Sequence, residues 1–220
     1  MQRLHDIKKT QLQLVQDRNY QISPEEMAIL TMSLREFVQY VNSIVISRNT
    51  SVRGALSYKY TSTTQADGTR RSMLVYYAGK MSPQKQISAE VVREFNALAQ
   101  QHAVYEAILI VDAPLSSTAN EELKALTLIK HQIFNDSDLS HNPTHHVDTT
   151  RHELLSPQEK EAKLREMRTD ISKLSIMREN DPICRYYGWP VGGLVRVHRD
   201  DSAISILAPK SINYRIIVGN

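Results

Sequence analysis

Apolar positions in the first fifty residues recur at helical spacing. A stripe that runs from Leu4 to Val15 is typical of a helix over residues 2–17. Ser23 with Glu26, and Ser33 with Glu36, have the spacing of two capping boxes, in which a serine and a glutamate bond to each other's backbone at a helix start. The pattern predicts that the chain begins with helices.

The pattern then changes to alternating strands and helices. A segment rich in Tyr, Thr and Ser and a second one around Met73 predict two strands, with a turn at Asp67-Gly68 between them. From residue 71 the order strand, helix, strand, helix, strand predicts a small α/β sheet with right-handed crossovers. The predicted elements are strands at 54–64 and 71–78, a helix at 88–101, a strand at 106–111, a helix at 120–126 and a strand at 128–134.

Residues 135–151 are rich in loop formers, and we place a domain boundary there, between residues 1–142 and 143–220. Beyond it, a capping box at Ser156 predicts a helix to about Arg168. Asp181-Pro182 predicts a short helix that Gly188 ends. Strands at 194–199 and 213–218 complete a small C-terminal α+β module, so the fold class is α+β.

Composition and charge narrow the function classes. The 220 residues include 27 Lys and Arg against 24 Asp and Glu, so any DNA contact should be peripheral rather than the main task of the protein. Cys184 is the one cysteine, which excludes an internal disulfide and fits a reducing compartment. No secretory signal or membrane span is predicted, so we expect a soluble intracellular protein.

The last third of the chain resembles a known family. The residues that carry the likeness are Arg151-His152, Leu155-Ser156, Glu159-Lys160, Asp181-Pro182, Tyr187-Gly188, Gly192, the strand 195–199 and Tyr214-Arg215-Ile216. Their order and spacing resemble the C-terminal domain of the fifth-largest subunit shared by eukaryotic RNA polymerases I, II and III, a domain that archaeal RNA polymerases also have. The order of elements before residue 143 looks like the "jaw" domain of the eukaryotic subunit.

The resemblance implies a non-catalytic subunit of a DNA-directed RNA polymerase that works in transcription, with no active site, cofactor or metal of its own. It also implies one copy in a hetero-oligomer, anchored on the largest subunit, with the jaw around downstream double-stranded DNA. Ser175, where the family has proline, and Trp189-Pro190 depart from the pattern. They leave two origins open: a divergent eukaryotic protein of the nucleus, or one encoded by a large DNA virus and found in host cytoplasm or virion.

Two sets of residues are candidates for contacts. Arginine and aromatic side chains are enriched at interfaces, and hydroxyls and lysines suit phosphate contacts. The partner-binding candidates are His152, Tyr187, Trp189, Arg196, Arg199, Tyr214 and Arg215. The DNA-proximal candidates are Lys80, Ser82, Ser116, Ser117 and Thr118. Ordinary surface charge, the module's own core and plain surface loops are the competing interpretations.

Other polar groups suggest chemistry only weakly. Five histidines lie between His131 and His152 without a zinc-site spacing, and a polar linker explains them better. Cys184 lies in a short helix that we expect to be buried. Asp112, Glu121 and Glu122 leave one alternative open, a free-standing metal-dependent nuclease or hydrolase on the α/β domain. A regulatory scaffold that reuses the C-terminal module is a further alternative.

Overall fold

The computed structural model describes residues 1–63, 69–79, 85–146, 149–198 and 211–219. Internal contacts divide the chain into two compact units, Met1–His141 and Asn142–Asn220. Each contains helices and a sheet, so the predicted α+β class and two-domain organisation are confirmed. None of the helices in the described ranges is long and apolar enough to cross a membrane.

The N-terminal unit begins with helices and continues with a sheet. Its helices are α1 Gln2–Asp17, α2 Pro24–Ala28, α3 Leu34–Arg48, α4 Val52–Leu56, α5 Ala89–Gln101 and α6 Ser117–Lys124. Its strands are β1 Tyr20–Gln21, β2 Tyr58–Ser62, β3 Ser72–Ala78, β4 Glu106–Val111 and β5 Lys130–Asn135. The strands lie side by side in chain order; β1, β2 and β3 pair antiparallel, while β3, β4 and β5 pair parallel.

The predicted alternation from residue 71 corresponds to β3, α5, β4, α6 and β5, and the parallel pairing confirms it. All six residues of β4 are buried, as is usual for an interior strand of a parallel sheet. Val92 and Phe95 of α5 and Leu123 of α6 share one core with Leu74 and Leu109 of the sheet. The opposite face carries Tyr60 and Tyr77, whose hydroxyls bond to Gln11 of α1.

Some predicted details of this unit are wrong. Residues 54–56 belong to α4 and not to a strand, because the Ser51 hydroxyl accepts a bond from the Gly54 N–H at 3.0 Å and starts a helical turn. The helix predicted from residue 120 begins at Ser117. Ser88 is the residue just before α5, which agrees with the predicted helix start, but its hydroxyl makes no capping bond and its oxygen is buried without a partner among the described residues. The predicted turn at Asp67-Gly68 lies outside them.

Buried ion pairs hold the N-terminal unit together. The Lys8 ammonium lies 2.8 Å from a Glu26 oxygen, and both side chains are at least nine-tenths buried. Burial lowers the pKa of Lys8, although the Glu26 carboxylate opposes the shift. The predicted capping box at Ser23 is therefore only half formed: the Ser23 hydroxyl accepts the Glu26 N–H, but the Glu26 carboxylate turns inward to Lys8 and Tyr60.

Two further pairs join distant segments of the same unit. Arg18 donates to Glu106 at 3.0 Å and to Gln132 at 2.8 Å, which links the end of α1 to the starts of β4 and β5. Arg53 donates two bonds to Asp136, at 3.0 and 2.9 Å, and a third to the Ile110 carbonyl. Each pair ties an N-terminal helix to the sheet.

The C-terminal unit is smaller. Its strands are β6 His152–Leu154, β7 Ser175–Arg178, β8 Leu194–His198 and β9 Ile212–Val218, and its helices are α7 Pro157–Met167 and α8 Pro182–Tyr187. Short 3-10 turns span Pro143–His145 and Ile171–Lys173. The sheet order is β6-β8-β9-β7, with β7 parallel to β9 and the other pairs antiparallel.

The predicted capping signals of this unit are correct. Ser156 and Glu159 form a complete capping box at the start of α7. The Asp181 carboxylate accepts the Ile183 N–H, and Gly188 ends α8 at φ 66°, a conformation that favours glycine. Strands β6 and β7 are not among the predicted elements, because runs of three and four residues are too short to show an alternating pattern.

Candidate functional site

The sheet of the C-terminal unit has two distinct faces. Met177, Val195, Val197 and Ile217 lie on one face and share a small core with Ile183 and Cys184 of α8. We call this the α8 face. Side chains alternate along a strand, so the neighbours of these residues lie on the other face, which we call the α7 face because Lys163 of α7 lies over the Tyr214 ring.

The α7 face carries a polar cluster, which we define as Glu153, Lys163, Glu166, Arg196, His198 and Tyr214. Arg196 donates to Glu153 at 3.2 Å, across the β6–β8 pair. Lys163 pairs with Glu166 at 2.8 Å and lies 5.2 Å from the centre of the Tyr214 ring. The Tyr214 hydroxyl and then Glu153 raise the pKa of Arg196. The charges of the cluster are largely satisfied within the unit.

The α8 face carries aromatic rings at its margin. Tyr187 and Trp189 stack with ring centres 4.7 Å apart and planes 8° apart, and both are half-buried. We call them the aromatic pair. Tyr186 is fully buried below them, and its hydroxyl accepts a bond from Asn142 at 3.0 Å. One ring therefore belongs to the core, while the stacked rings are partly open to solvent.

The predicted partner-binding residues do not form a single surface. Arg196 and Tyr214 face each other across β8 and β9 on the α7 face. His152, Arg215 and the aromatic pair lie on or beside the α8 face, since His152 is opposite Val197 and Arg215 is opposite Val195. Arg199 lies outside the described residues. Arg215 is half-buried, and its side chain makes no hydrogen bond or ion pair with any described residue.

Little in the sequence indicates the other members of the polar cluster. Glu153 belongs to a three-residue strand, and Lys163 and Glu166 belong to a helix with many charged residues. The pairing of β6 with β8 places Glu153 opposite Arg196, and this long-range register cannot be predicted from local pattern.

Three of the predicted DNA-proximal residues, Ser116, Ser117 and Thr118, lie at the carboxyl end of the parallel strands in the N-terminal unit. Ser116 begins α6 and accepts the Ala119 N–H at 3.2 Å; Ser117 and Thr118 form the exposed first turn of that helix rather than a loop. Ile87 and Leu115 pair as a parallel bridge, which places the starts of α5 and α6 side by side. Lys80 and Ser82 lie outside the described residues.

A depression of about 570 Å³ opens where these helices begin. Lys85, Ser88, Ser116 and Thr118 contribute to its lining. Helix starts carry free backbone N–H groups and a partial positive charge, so this edge of the sheet suits an anionic group.

The remaining candidates for chemistry are acidic side chains, histidines and Cys184. In the part of the chain that the structure describes, no three His, Cys, Asp or Glu side chains are placed to hold a metal ion. Glu122 is used in a surface pair with Arg93 at 2.7 Å. Cys184 is 1% exposed, and burial raises the pKa of its thiol to about 12, so it is a core residue and not a nucleophile.

Comparison with known proteins connects both units to one family. The family model "RNA polymerase Rpb5, N-terminal domain" matches residues 1–98, and "RNA polymerase Rpb5, C-terminal domain" matches residues 141–217. The two domains occur in that order. The chain belongs to the RNA polymerase Rpb5 family. As an Rpb5-family chain, it is a subunit of a DNA-directed RNA polymerase.

Curated relatives of this Rpb5-family chain are similar over nearly their whole length. "DNA-directed RNA polymerases I, II, and III subunit rpabc1" of Dictyostelium discoideum is 25% identical over 98% of both chains. "DNA-directed RNA polymerases IV and V subunit 5B" of Arabidopsis thaliana is 24% identical over 96% of this chain and 87% of the relative. The low identity marks a divergent member. Neither these relatives nor any described residue supports the nuclease or hydrolase alternative.

Proposed function

We propose that this chain is a non-catalytic polymerase subunit that anchors on the largest subunit through its C-terminal unit. Its N-terminal unit forms part of the lower jaw around downstream DNA. The observation that carries the proposal is the match of two Rpb5 domains, in order, to the first and last parts of a chain that divides into two compact units. The subunit would contribute shape and charge rather than chemistry.

The α8 face is the better candidate for the anchoring surface. On the α7 face, Arg196 and Tyr214 already bond within the polar cluster, so a partner would have to replace existing contacts. On and beside the α8 face, the aromatic pair is half-exposed and Arg215 has no described partner for its charge. Aromatic rings and arginine on one face have the composition of an interface hot spot. His152 and Arg199 remain candidates for the same contact.

The N-terminal unit would make few contacts with DNA. Ser116, Ser117 and Thr118 surround the start of α6, where backbone N–H groups and hydroxyls can bond to phosphate oxygens without reading sequence. Lys80 and Ser82, which lie outside the described residues, remain candidates for further phosphate contacts. The near balance of 27 basic and 24 acidic residues fits a subunit whose hold on DNA depends on the assembled enzyme.

The compartment follows from the origin of the polymerase. A cellular subunit of this family would work in the nucleus, and one encoded by a large DNA virus would work in the host cytoplasm or virion. Localising the tagged chain together with a catalytic subunit in its native source tests this point.

Truncation of the chain tests the proposal. The tagged chain, with and without residues 143–220, is expressed in its native source and the polymerase is recovered through the largest subunit. We expect the truncated chain to be absent from the purified enzyme and the full chain to be present in one copy. Normal incorporation of the truncated chain would overturn the anchoring role.

A second experiment tests the jaw assignment. In the polymerase that contains the full chain, a photocrosslinker at Ser117 should label downstream DNA, and a lack of label would contradict the assignment.

A further inference from the structure

Strand β7 lies at the edge of the sheet, and three of its outward backbone groups have no hydrogen-bond partner among the residues that the structure describes. It pairs with β9 on one side, in parallel register, with Ile176 next to Ile216. The Glu179 N–H bonds to the Val218 carbonyl, and alternate residues of a parallel strand bond to the same neighbour. Ser175 and Met177 therefore bond to β9. The N–H and carbonyl of Ile176, and the N–H of Arg178, point away from the sheet.

The side chain at this edge is apolar and exposed. Ile176 is 61% exposed, the highest value for a large hydrophobic residue in any strand of the described ranges. Proteins normally protect free edges with charged residues, proline or a covering segment. The opposite edge, β6, follows that rule with His152 and Glu153, and Glu153 is paired with Arg196. At Ile176 the β7 edge has no such protection among the residues that the structure describes.

Charge indicates what kind of segment fits there. On the α8 face, Arg215 lies beside Ser175, a side chain too small to cover it. Neighbouring strands are about 4.8 Å apart, so a strand added next to β7 would lie about 9.6 Å from β9. An arginine on β9 and a carboxylate on the added strand can span that distance between them. Lys173 and Arg178 are also exposed near this edge. A second copy of the chain would bring like charges together.

We propose that β7 accepts an extended segment of another polymerase subunit as a fifth strand of this sheet. The segment exchanges backbone hydrogen bonds with Ile176. It places an apolar residue beside Ile176 on the α7 face and an acidic residue facing Arg215 on the α8 face. This inference rests on the proposed anchoring function and specifies the chemistry of the contact: main-chain pairing supplies affinity, and the alternating side chains supply specificity.

Proline at position 176 tests the main-chain contact. Ile176→Pro removes the outward N–H but no bond to β9, and proline is tolerated on an edge strand with that geometry. Ile176→Thr keeps the N–H and the β-branched shape but removes the apolar contact. Ile212→Pro is the matched control: Ile212 is 53% exposed at the first residue of β9, and its N–H lies beyond the end of β7. Unfolding of each purified variant in urea checks that the fold is retained.

Each variant competes with the tagged wild-type chain for entry into the polymerase in the native source. We expect Ile176→Pro to lower incorporation about tenfold or more, because the hydrogen bond from the outward N–H is lost and a carbonyl of the added strand is left without its donor. Ile176→Thr should lower it about two- to threefold, and Ile212→Pro should leave it unchanged. Arg215→Glu should reduce incorporation, and reversal of the facing acidic residue in the partner should restore it.

The outcomes separate this inference from the proposed function. If removal of residues 143–220 prevents incorporation but Ile176→Pro enters normally with an intact fold, the strand-addition proposal is wrong and the anchoring function stands. If neither the truncation nor Ile176→Pro lowers incorporation, both the strand-addition proposal and the anchoring function are wrong. If light scattering shows that the purified chain is a dimer that Ile176→Pro converts to a monomer, while incorporation is unaffected, the occupant is a second copy and the proposal is overturned.

Discussion

The two units handle their charged residues in opposite ways. The N-terminal unit buries ion pairs under helices, such as Lys8–Glu26 and Arg18–Glu106, and uses them to connect α1 and α2 to the rest of the unit. The C-terminal unit keeps its polar cluster at the surface, where the Glu153 side chain is 40% exposed. A buried pair makes its unit dependent on both partners, whereas a surface cluster contributes little to folding. The contrast predicts that removal of one charged partner costs the N-terminal unit more stability than it costs the C-terminal unit.

Breaking the buried Lys8–Glu26 pair should have the largest effect on the stability of the chain. Lys8→Met leaves the Glu26 carboxylate buried without a counter-charge, so we expect the free energy of unfolding to fall by about 3–5 kcal/mol. Urea unfolding of the purified chain, followed by circular dichroism, measures the change. Adding Glu26→Gln should recover much of the loss, since the amide is neutral and can still bond to Tyr60.

A neighbouring lysine provides the control. Lys9 lies next to Lys8 on α1, is only half-buried and makes one long contact, 3.4 Å, to the Met32 carbonyl. Lys9→Met should change the free energy of unfolding by less than about 1 kcal/mol. Equal effects of the two substitutions would show that the burial of Lys8 does not set its importance.

An intermediate effect is expected in the core of the C-terminal unit. Tyr186→Phe keeps the buried ring but removes the hydroxyl that accepts the Asn142 bond, so unfolding should become easier by about 1 kcal/mol. Differential scanning calorimetry can resolve that change. Tyr105→Phe, at a 49% exposed ring, is the matched control and should lie within about 0.5 kcal/mol of wild type. If Tyr186→Phe left the free energy of unfolding unchanged, the hydrogen bond from Asn142 would not stabilise the module.

The smallest effect should come from the polar cluster. Glu153→Gln keeps the shape of the side chain and removes its charge from the surface pair with Arg196; we expect a loss of stability below about 1 kcal/mol. The substitution should be compared with Glu161→Gln, at an exposed residue of α7. If Glu153→Gln proved as costly as Lys8→Met, the contrast between the two units would be wrong.

The elements of this fold are easier to predict from the sequence than their long-range contacts. Capping boxes at Ser33 and Ser156 are local patterns within four residues, and both are present in the structure. The α/β alternation after residue 71 is visible because β4 is a continuous apolar run. Glu26 shows the limit: its spacing from Ser23 is right for a capping box, but a lysine eighteen residues earlier takes its carboxylate.

The candidate contact residues show the same limit. Composition and resemblance predict their residue types, but strand register decides which face each one occupies. Arg196 and Arg215 lie on adjacent strands and point to opposite faces, and the sequence does not contain the pairing that separates them. The open edge at Ile176 depends on a parallel partner forty residues away in the chain, so local pattern could not show it either.

The buried thiol of Cys184 has a practical consequence for spectroscopy. With a pKa of about 12 and 1% exposure, this single cysteine forms almost no thiolate at neutral pH and is closed to reagents while the unit is folded. A fluorophore or spin label attached to a cysteine introduced elsewhere, for example at Ser117, would therefore occupy one site on the native chain. Distances within the assembled polymerase can then be measured without first removing a natural cysteine.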